Sequence, residues 1–261
     1  MRSILAISLL GGCGVNQTPQ PDEPPVLPSC VPNRDGVITA DELPVPLGFT
    51  AAYYAGTDTP VMIAGTDAWD LSAELATDAV VALGPLALVD QWYAAEFPGA
   101  AFVTDAGGGL DGVFHQDAQA LWLHGTASQE PAPAAGKTLV RYAEPIAVLR
   151  FPLTDGLSFQ STGDINGTIA GLPFIGADEV AVEIAGSGRL DLPYVRFSPV
   201  LRVRTQVVRR PSSGPAVGKR STSFVFECFG EVAHADSKLD ETNPDFTVAA
   251  ALRRFALGVE P

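Results

Sequence analysis

The three histidines, His115, His124 and His234, are the side chains best suited to proton transfer or zinc ligation in this sequence. His115 and Asp117 fall on one side of a strand, as a general base and its orienting carboxylate would. Zinc wants ligands at tight spacing, such as two histidines four apart on a helix, whereas these stand nine and then 110 residues apart. The plainer reading of all three is an ordinary surface or edge histidine. Ser187 lies between Gly186 and Gly188, but a nucleophile elbow needs glycines two residues to either side, where Ala185 and Arg189 stand. Gly186-Ser187-Gly188 therefore reads as a hairpin turn. Asp178-Glu179 and Asp240-Glu241 are adjacent, and adjacent side chains of a strand point to opposite faces, so neither is a good acid–base pair. No dinucleotide or phosphate-loop glycine pattern is present. These residues nominate no catalytic set, and the reading leans away from an enzyme.

Ligand chemistry is concentrated in Asn33-Arg34-Asp35-Gly36-Val37-Ile38-Thr39-Ala40-Asp41-Glu42-Leu43. The stretch resembles the EF-hand loop, also used in dockerin repeats. With Gly36 at the sharp turn of position six, the resemblance puts Asn33 at position three, Asp35 at five, the Val37 carbonyl at seven, Thr39 at nine and Glu42 at twelve. Ile38 matches the apolar position eight. Ca2+ takes about six to eight oxygens, which a loop winding round it presents at alternate positions before a bidentate carboxylate closes the set. Val31 stands where the first aspartate belongs, and Pro32 forbids a helix running smoothly into the loop. One carboxylate short, the set would hold Ca2+ weakly, in a structural role. The same residues have a second reading without an ion. Asp35-Gly36 makes a turn, and Thr39 and Glu42 form a capping box on a short helix.

The N-terminus reads as an address. Met1-Arg2-Ser3 is basic, residues 4–10 are apolar, and Leu10-Gly11-Gly12-Cys13 follows, the layout of a secretory signal. The apolar run is far short of the roughly 20 residues that span a bilayer. Leu10-Gly11-Gly12-Cys13 resembles the lipobox of bacterial lipoproteins. The resemblance implies that residues 1–12 are removed and that Cys13 carries a diacylglycerol and an acylated amino terminus. Each buried methylene then contributes about 0.8 kcal/mol to anchoring. Twelve residues is short for such a leader, which points to a start upstream of Met1. Gly14 is not the aspartate that in some bacteria holds lipoproteins at the inner membrane, so the outer membrane, on its periplasmic or surface face, is expected. Residues 13–29 hold five prolines between positions 19 and 28 and read as a flexible or polyproline-like tether. Cys30 and Cys228 remain as an even pair, which in an exported protein reads as a disulfide. The other reading leaves two free thiols, one buried and one exposed.

The elements that position these residues follow from composition and periodicity. The chain has 261 residues, 46% of them apolar, enough to bury a sizeable core. With 30 acids against 16 bases it carries a net charge of -14, which argues against a nucleic-acid partner. Its 26 glycines and 22 prolines favour strands joined by turns. Residues 68–75 and 86–97 could each be helix or strand. Residues 118–124, 138–142, 146–151, 178–184, 189–192, 200–210 and 221–230 read as strands, with loops at 107–112 and 126–136, and 246–257 is ambiguous. In 201–207 the apolar residues face one way and the arginines the other, and this strand pairs naturally with 221–230 across a loop at 211–218. The prediction is a mainly β fold, an antiparallel sandwich or open barrel with one or two short helices. The loop segment 30–46 precedes a single β-rich domain over 47–261.

Half of the sixteen cations lie between Arg189 and Arg220. They read as a solvated strand face that blunts sheet edges, or as a patch for lipid headgroups or an anionic polysaccharide. Gly188-Arg189-Leu190-Asp191-Leu192-Pro193 followed by Val200-Leu201-Arg202-Val203-Arg204 resembles uncharacterised secreted or lipoprotein β-domains of Gram-negative bacteria, a resemblance that brings no active site. The expectation is a membrane-anchored envelope lipoprotein that binds or scaffolds, with an envelope protein or polysaccharide as partner. A carrier of lipid or another apolar ligand around Trp69, Trp92 and Trp122 is one alternative. A hydrolase whose carboxylates converge only in three dimensions is another.

Overall fold

The computed structural model describes residues 30–259; the leader, Cys13 and the whole of the tether lie outside the described residues. Strand makes up 58% of the described residues and helix 4%, so the fold is mainly β. Its strands are β1 (Val37–Ile38), β2 (Ala51–Pro60), β3 (Ala68–Asp70), β4 (Ala79–Leu83), β5 (Leu86–Ala87), β6 (Phe102–Gly107), β7 (Leu110–Gln116) and β8 (Ala120–Ser128). They continue with β9 (Leu139–Arg150), β10 (Leu153–Thr154), β11 (Ser158–Ile169), β12 (Leu172–Leu192), β13 (Val195–Pro211), β14 (Val217–Phe226), β15 (Gly230–Asp236) and β16 (Val248–Phe255). Three one-turn 3-10 helices supply the helical content; two of them, Leu88–Asp90 and Ala94–Glu96, occupy the stretch that Pro85 and Pro98 confine.

One antiparallel sheet runs in the order β4-β2-β16-β15-β14-β13-β12-β11-β9-β8-β7-β6-β5, and it is not closed into a barrel. β13 and β14 pair as their patterning predicts, with Leu201 opposite Val225. β1 pairs β10 apart from this sheet, and carries Ile38 into a core with Leu153, Val182, Val203 and Val225. On the opposite face the segment 61–75 lies across β12–β16 and buries Ile63, Trp69 and Leu71 against Leu190, Phe224 and Phe226.

That crossing segment explains two departures from the sequence reading. Gly186-Ser187-Gly188 is not a hairpin turn. It lies inside the 21-residue β12, at an irregular register between Ile184 and Ser187. Both glycines leave room for the crossing backbone: a Cβ would come within 2.4 Å of the Thr66 carbonyl oxygen at residue 186, and within 2.0 Å of the Asp67 oxygen at 188. β3 then pairs with β12 in parallel, Ala68 opposite Arg189. Arg202 of β13 is likewise not on a solvated face, although Arg196 and Arg210 of the same strand are exposed. Arg202 is 2% exposed, donates to the Ile63 and Ala185 carbonyls and stacks over Trp69. Arg254 on β16 is 1% exposed, donates to the Leu71 and Ala73 carbonyls and grips Asp78 with two hydrogen bonds. Of the eight cations from Arg189 to Arg220, seven pair with carboxylates and Arg220 donates to the Glu241 carbonyl, so no free basic patch exists there.

Smaller differences have local causes. β8 runs through Ser128, so the predicted loop at 126 starts three residues later. Residues 138–142 and 146–151 merge into β9, with irregular register beside Glu144-Pro145. Cys228 leaves the strand that contains Phe224 and Phe226 and takes φ +68 in the following turn. There it forms the disulfide with Cys30.

The two ends of the sheet meet in one kinked strand. β4 pairs β2 and, two residues on, β5 pairs β6, so the chain changes partner across Gly84-Pro85. A Cβ on Gly84 would lie 2.0 Å from the Phe49 carbonyl oxygen, and Gly48 donates to the Pro85 carbonyl at 3.1 Å. Beyond the kink the ends diverge and leave a cleft.

Removing one partner of a buried ion pair leaves the other uncompensated, which costs about 3–5 kcal/mol. Arg254→Ala should therefore lower the unfolding free energy by an amount of that order, read as a lower urea midpoint. Arg210→Ala, which removes an exposed pair with Glu179, should leave the midpoint unchanged.

Candidate functional site

Ser223 on β14, His234 on β15 and Arg253 on β16 stand opposite one another in register. Strand alternation puts Asp236 on the same face as His234. Glu231 would face the other way, but a register shift where Phe224 and Val225 meet β15 turns Val232 inward beside Ala233 and brings Glu231 onto this face. His234 is then held between two carboxylates, Nδ1 at 2.9 Å from Glu231 Oε2 and Nε2 at 3.0 Å from Asp236 Oδ1. Ser223 Oγ donates to the same Glu231 oxygen at 2.6 Å and lies 2.9 Å from His234 Nδ1.

The row continues in both directions. Asp236 pairs with Lys219 at 2.8 Å, and Glu231 faces Arg253 at 3.5 Å. Arg253 reaches across the cleft to Asp105 Oδ2 at 3.1 Å and to the Asp105 carbonyl at 3.2 Å. Gln129 Nε2 donates to Asp105 at 3.0 Å and to Asp111 at 3.1 Å, and Tyr93 Oη donates to Asp111 Oδ2 at 2.5 Å. The cleft above this row has a volume of about 470 Å³, with Asp105, Asp111, Gln129 and Arg253 beneath apolar walls of Val81, Leu83 and Val103.

The electrostatics decide what the row can do. Burial disfavours the His234 imidazolium, but the Glu231 charge and hydrogen bonds to Asp236 and Glu231 outweigh it and raise its pKa to about 9. Burial likewise opposes ionisation of Glu231 and Asp236, yet His234 and the neighbouring cations bring both down to about 2. At neutral pH His234 is a cation with both nitrogens donating. Ser223–His234–Asp236 has the residue types of a nucleophilic triad without its base.

The other candidates resolve individually. His115 does not partner Asp117; its Nδ1 lies 2.6 Å from His124 Nε2 and its ring stacks on Trp122. Asp117 instead closes a turn by accepting from Gln119 and Ala120 N–H and from Trp122 Nε1. Burial, then the neighbouring His115, lowers the pKa of His124. Asp178 and Glu179 point to opposite faces, as strand alternation requires, each gripped by its own arginine, Arg209 and Arg210.

The calcium-like loop is closed by its own groups. Asn33 Oδ1 accepts from Asp35 N–H, and Asp35 Oδ1 from Val37 N–H. Glu42 accepts from Asn33 Nδ2 at 2.7 Å and from Thr39 N–H and Oγ1 at 2.9 Å, completing the capping box. Buried Glu227, in the turn after β14, accepts from Arg34 N–H at 2.8 Å and ties the loop to the sheet. Among the described residues no three His, Cys, Asp or Glu side chains converge as round a metal. Within the expected set Asn33, Asp35, Val37, Thr39 and Glu42, the side-chain oxygens of Asn33, Asp35 and Glu42 accept from N–H and O–H groups of the loop itself.

Sequence reading missed the row because its signals were not local. His234-Ala235-Asp236 carried the period-two spacing, but Glu231 depends on a bulge, and Arg253, Asp105 and Gln129 arrive from distant strands. Comparisons with protein families, curated proteins and solved structures find no match.

Two outcomes follow. The His234 ring protons should titrate near pH 9 by NMR, and a midpoint near 6.5 would contradict the row. The stability His234 contributes is present below about pH 6.5 and lost as pH rises through about 9. That from Glu231 and Asp236 is lost as pH falls toward about 2. His234→Gln should remove the alkaline loss. Calorimetric titration with millimolar Ca2+ should give no heat; a heat abolished by Glu42→Gln would show that the loop opens to an ion.

Proposed function

We propose that this protein is a cell-envelope lipoprotein that binds a ligand at the seam of its sheet and performs no chemistry on it. The observation that carries the reading is His234 held with each ring nitrogen against a carboxylate, Glu231 and Asp236, while Ser223 donates to Glu231. A serine nucleophile needs a neighbouring base to take its proton, and here the proton position is filled. Binding suits the cleft, which joins apolar walls to a short row of fixed polar groups. The tryptophans do not gather round a cavity: Trp69 lies under Arg202, Trp92 donates to the Ser128 carbonyl, and Trp122 stacks with His115. Anchoring is supported by Leu10-Gly11-Gly12-Cys13. Export is supported by the Cys30–Cys228 disulfide, since such bonds persist in oxidising compartments.

A glycosidase-like hydrolase is the second reading, because Asp105 and Asp111 both lie within 3.1 Å of Gln129 Nε2 in the cleft. Paired carboxylates at about 5–10 Å are what such chemistry uses. Against it, all four oxygens of the pair already accept hydrogen bonds from the protein's own groups, Arg253, Gln129 and Tyr93.

Cys13→Ser should abolish palmitate labelling and move the protein from the membrane to the soluble fraction; unchanged labelling contradicts the anchor. A panel of nitrophenyl glycosides should show no turnover above buffer. Turnover that disappears in Asp105→Asn would establish the hydrolase instead.

A further inference from the structure

Two lengths of backbone edge face each other across the cleft. β4 has β2 as its sole strand partner, and β6 loses β5 after Val103, so among the described residues Thr104 to Gly107 has no strand on that side. Val81, Ala82 and Leu83 line one wall, and Val103, Thr104 and Asp105 the other. Successive side chains of a strand alternate between faces, so three consecutive residues border one hollow when it looks onto the strand edge.

Natural sheets guard such edges with lysine, proline, a bulge or a covering loop. Ala79-Val80-Val81-Ala82-Leu83 has no charge and no proline, and Val80 is 38% exposed. The acid before it, Asp78, is turned away into the grip of Arg254. An unguarded edge of β-branched and small apolar residues is built for a neighbouring strand.

We infer that the seam accepts a single extended peptide strand of a partner, held by main-chain hydrogen bonds to the β4 edge and by side-chain contacts with the β6 wall, where Arg253 already takes the Asp105 carbonyl. The inference rests on the cleft being the binding site. A second copy of this chain would bring the rest of its own sheet behind its β4, and the β6 wall stands in the way; a lone strand carries no such bulk. The register gives the peptide a pattern. Val81 and Leu83 share the face of Arg253, and Val103 and Asp105 lie two apart on β6. An inward side chain near the kink meets Leu83 and Val103, and the next inward one meets Asp105 and Arg253. The expected motif is an apolar residue followed two positions later by a hydrogen-bonding one.

The test is a random heptapeptide phage library panned on the full chain, followed by synthesis of the enriched peptides with alternate amides N-methylated. Only every second amide of a paired strand points to a given edge, and one lost bond to a neutral partner is worth up to about tenfold. The expected result is enrichment of the motif, a roughly tenfold or greater loss of affinity on N-methylation, and loss of binding to the doubly substituted Val80→Lys/Ala82→Lys chain, whose new charges guard an exposed edge without touching the core. Peptides that bind the cleft but ignore N-methylation would overturn the strand and leave the binding site standing. Absence of any peptide sensitive to Val80→Lys/Ala82→Lys would overturn both. A dimer in sedimentation that Val80→Lys dissolves would make a second copy the occupant and overturn the inference.

Discussion

The approach of Gly84 to the Phe49 backbone, where a Cβ would come within 2.0 Å of the carbonyl oxygen, is the constraint on which the rest of the arrangement depends. A strand that could not pass this close would have to stay with one end of the sheet. Because residue 84 has no side chain, the chain pairs with β2, kinks at Gly84-Pro85, and pairs with β6. Strands that switch partners at a bend are how sheets turn corners. The corner brings Asp105 within reach of Arg253 and leaves the edges beyond it apart. Fold, polar row and cleft are consequences of one bend.

Charge is used inside this molecule to hold segments in place. Arg202 and Arg254 are buried on strands and donate to carbonyls of the crossing segment, which has too little regular structure to satisfy them itself. The row from Lys219 to Tyr93 does the same between β-strands that are far apart in sequence. Its carboxylates and cations compensate one another: the Glu231 charge and the hydrogen bonds to Asp236 and Glu231 outweigh burial and favour the protonated form of the His234 imidazole. A net charge of -14 thus coexists with an interior in which the visible cations are committed to partners.

What could be read from the sequence was what depends on short range. The antiparallel β class, the pairing of β13 with β14 and the capping box at Thr39 and Glu42 all follow from periodicity or three-residue spacing. The pairing of Cys30 with Cys228 followed from parity and compartment rather than geometry. Features that depend on another segment crossing overhead were misread. Gly186 and Gly188 looked like a turn because glycine marks turns and close approaches alike. Arg202 looked solvated because nothing local announces that residues 61–78 cover it. The seam was invisible for the same reason, since β4 and β6 are neighbours only through the bend.

The most direct measurement of the central claim is amide hydrogen exchange along the sheet in the free protein. An open seam requires the outward amides of residues 79–83 and 104–107 to exchange orders of magnitude faster than those of β12 and β13 at the centre. Equal protection at both places would mean that the two edges are zipped to each other, and there would then be no cleft for a ligand to enter.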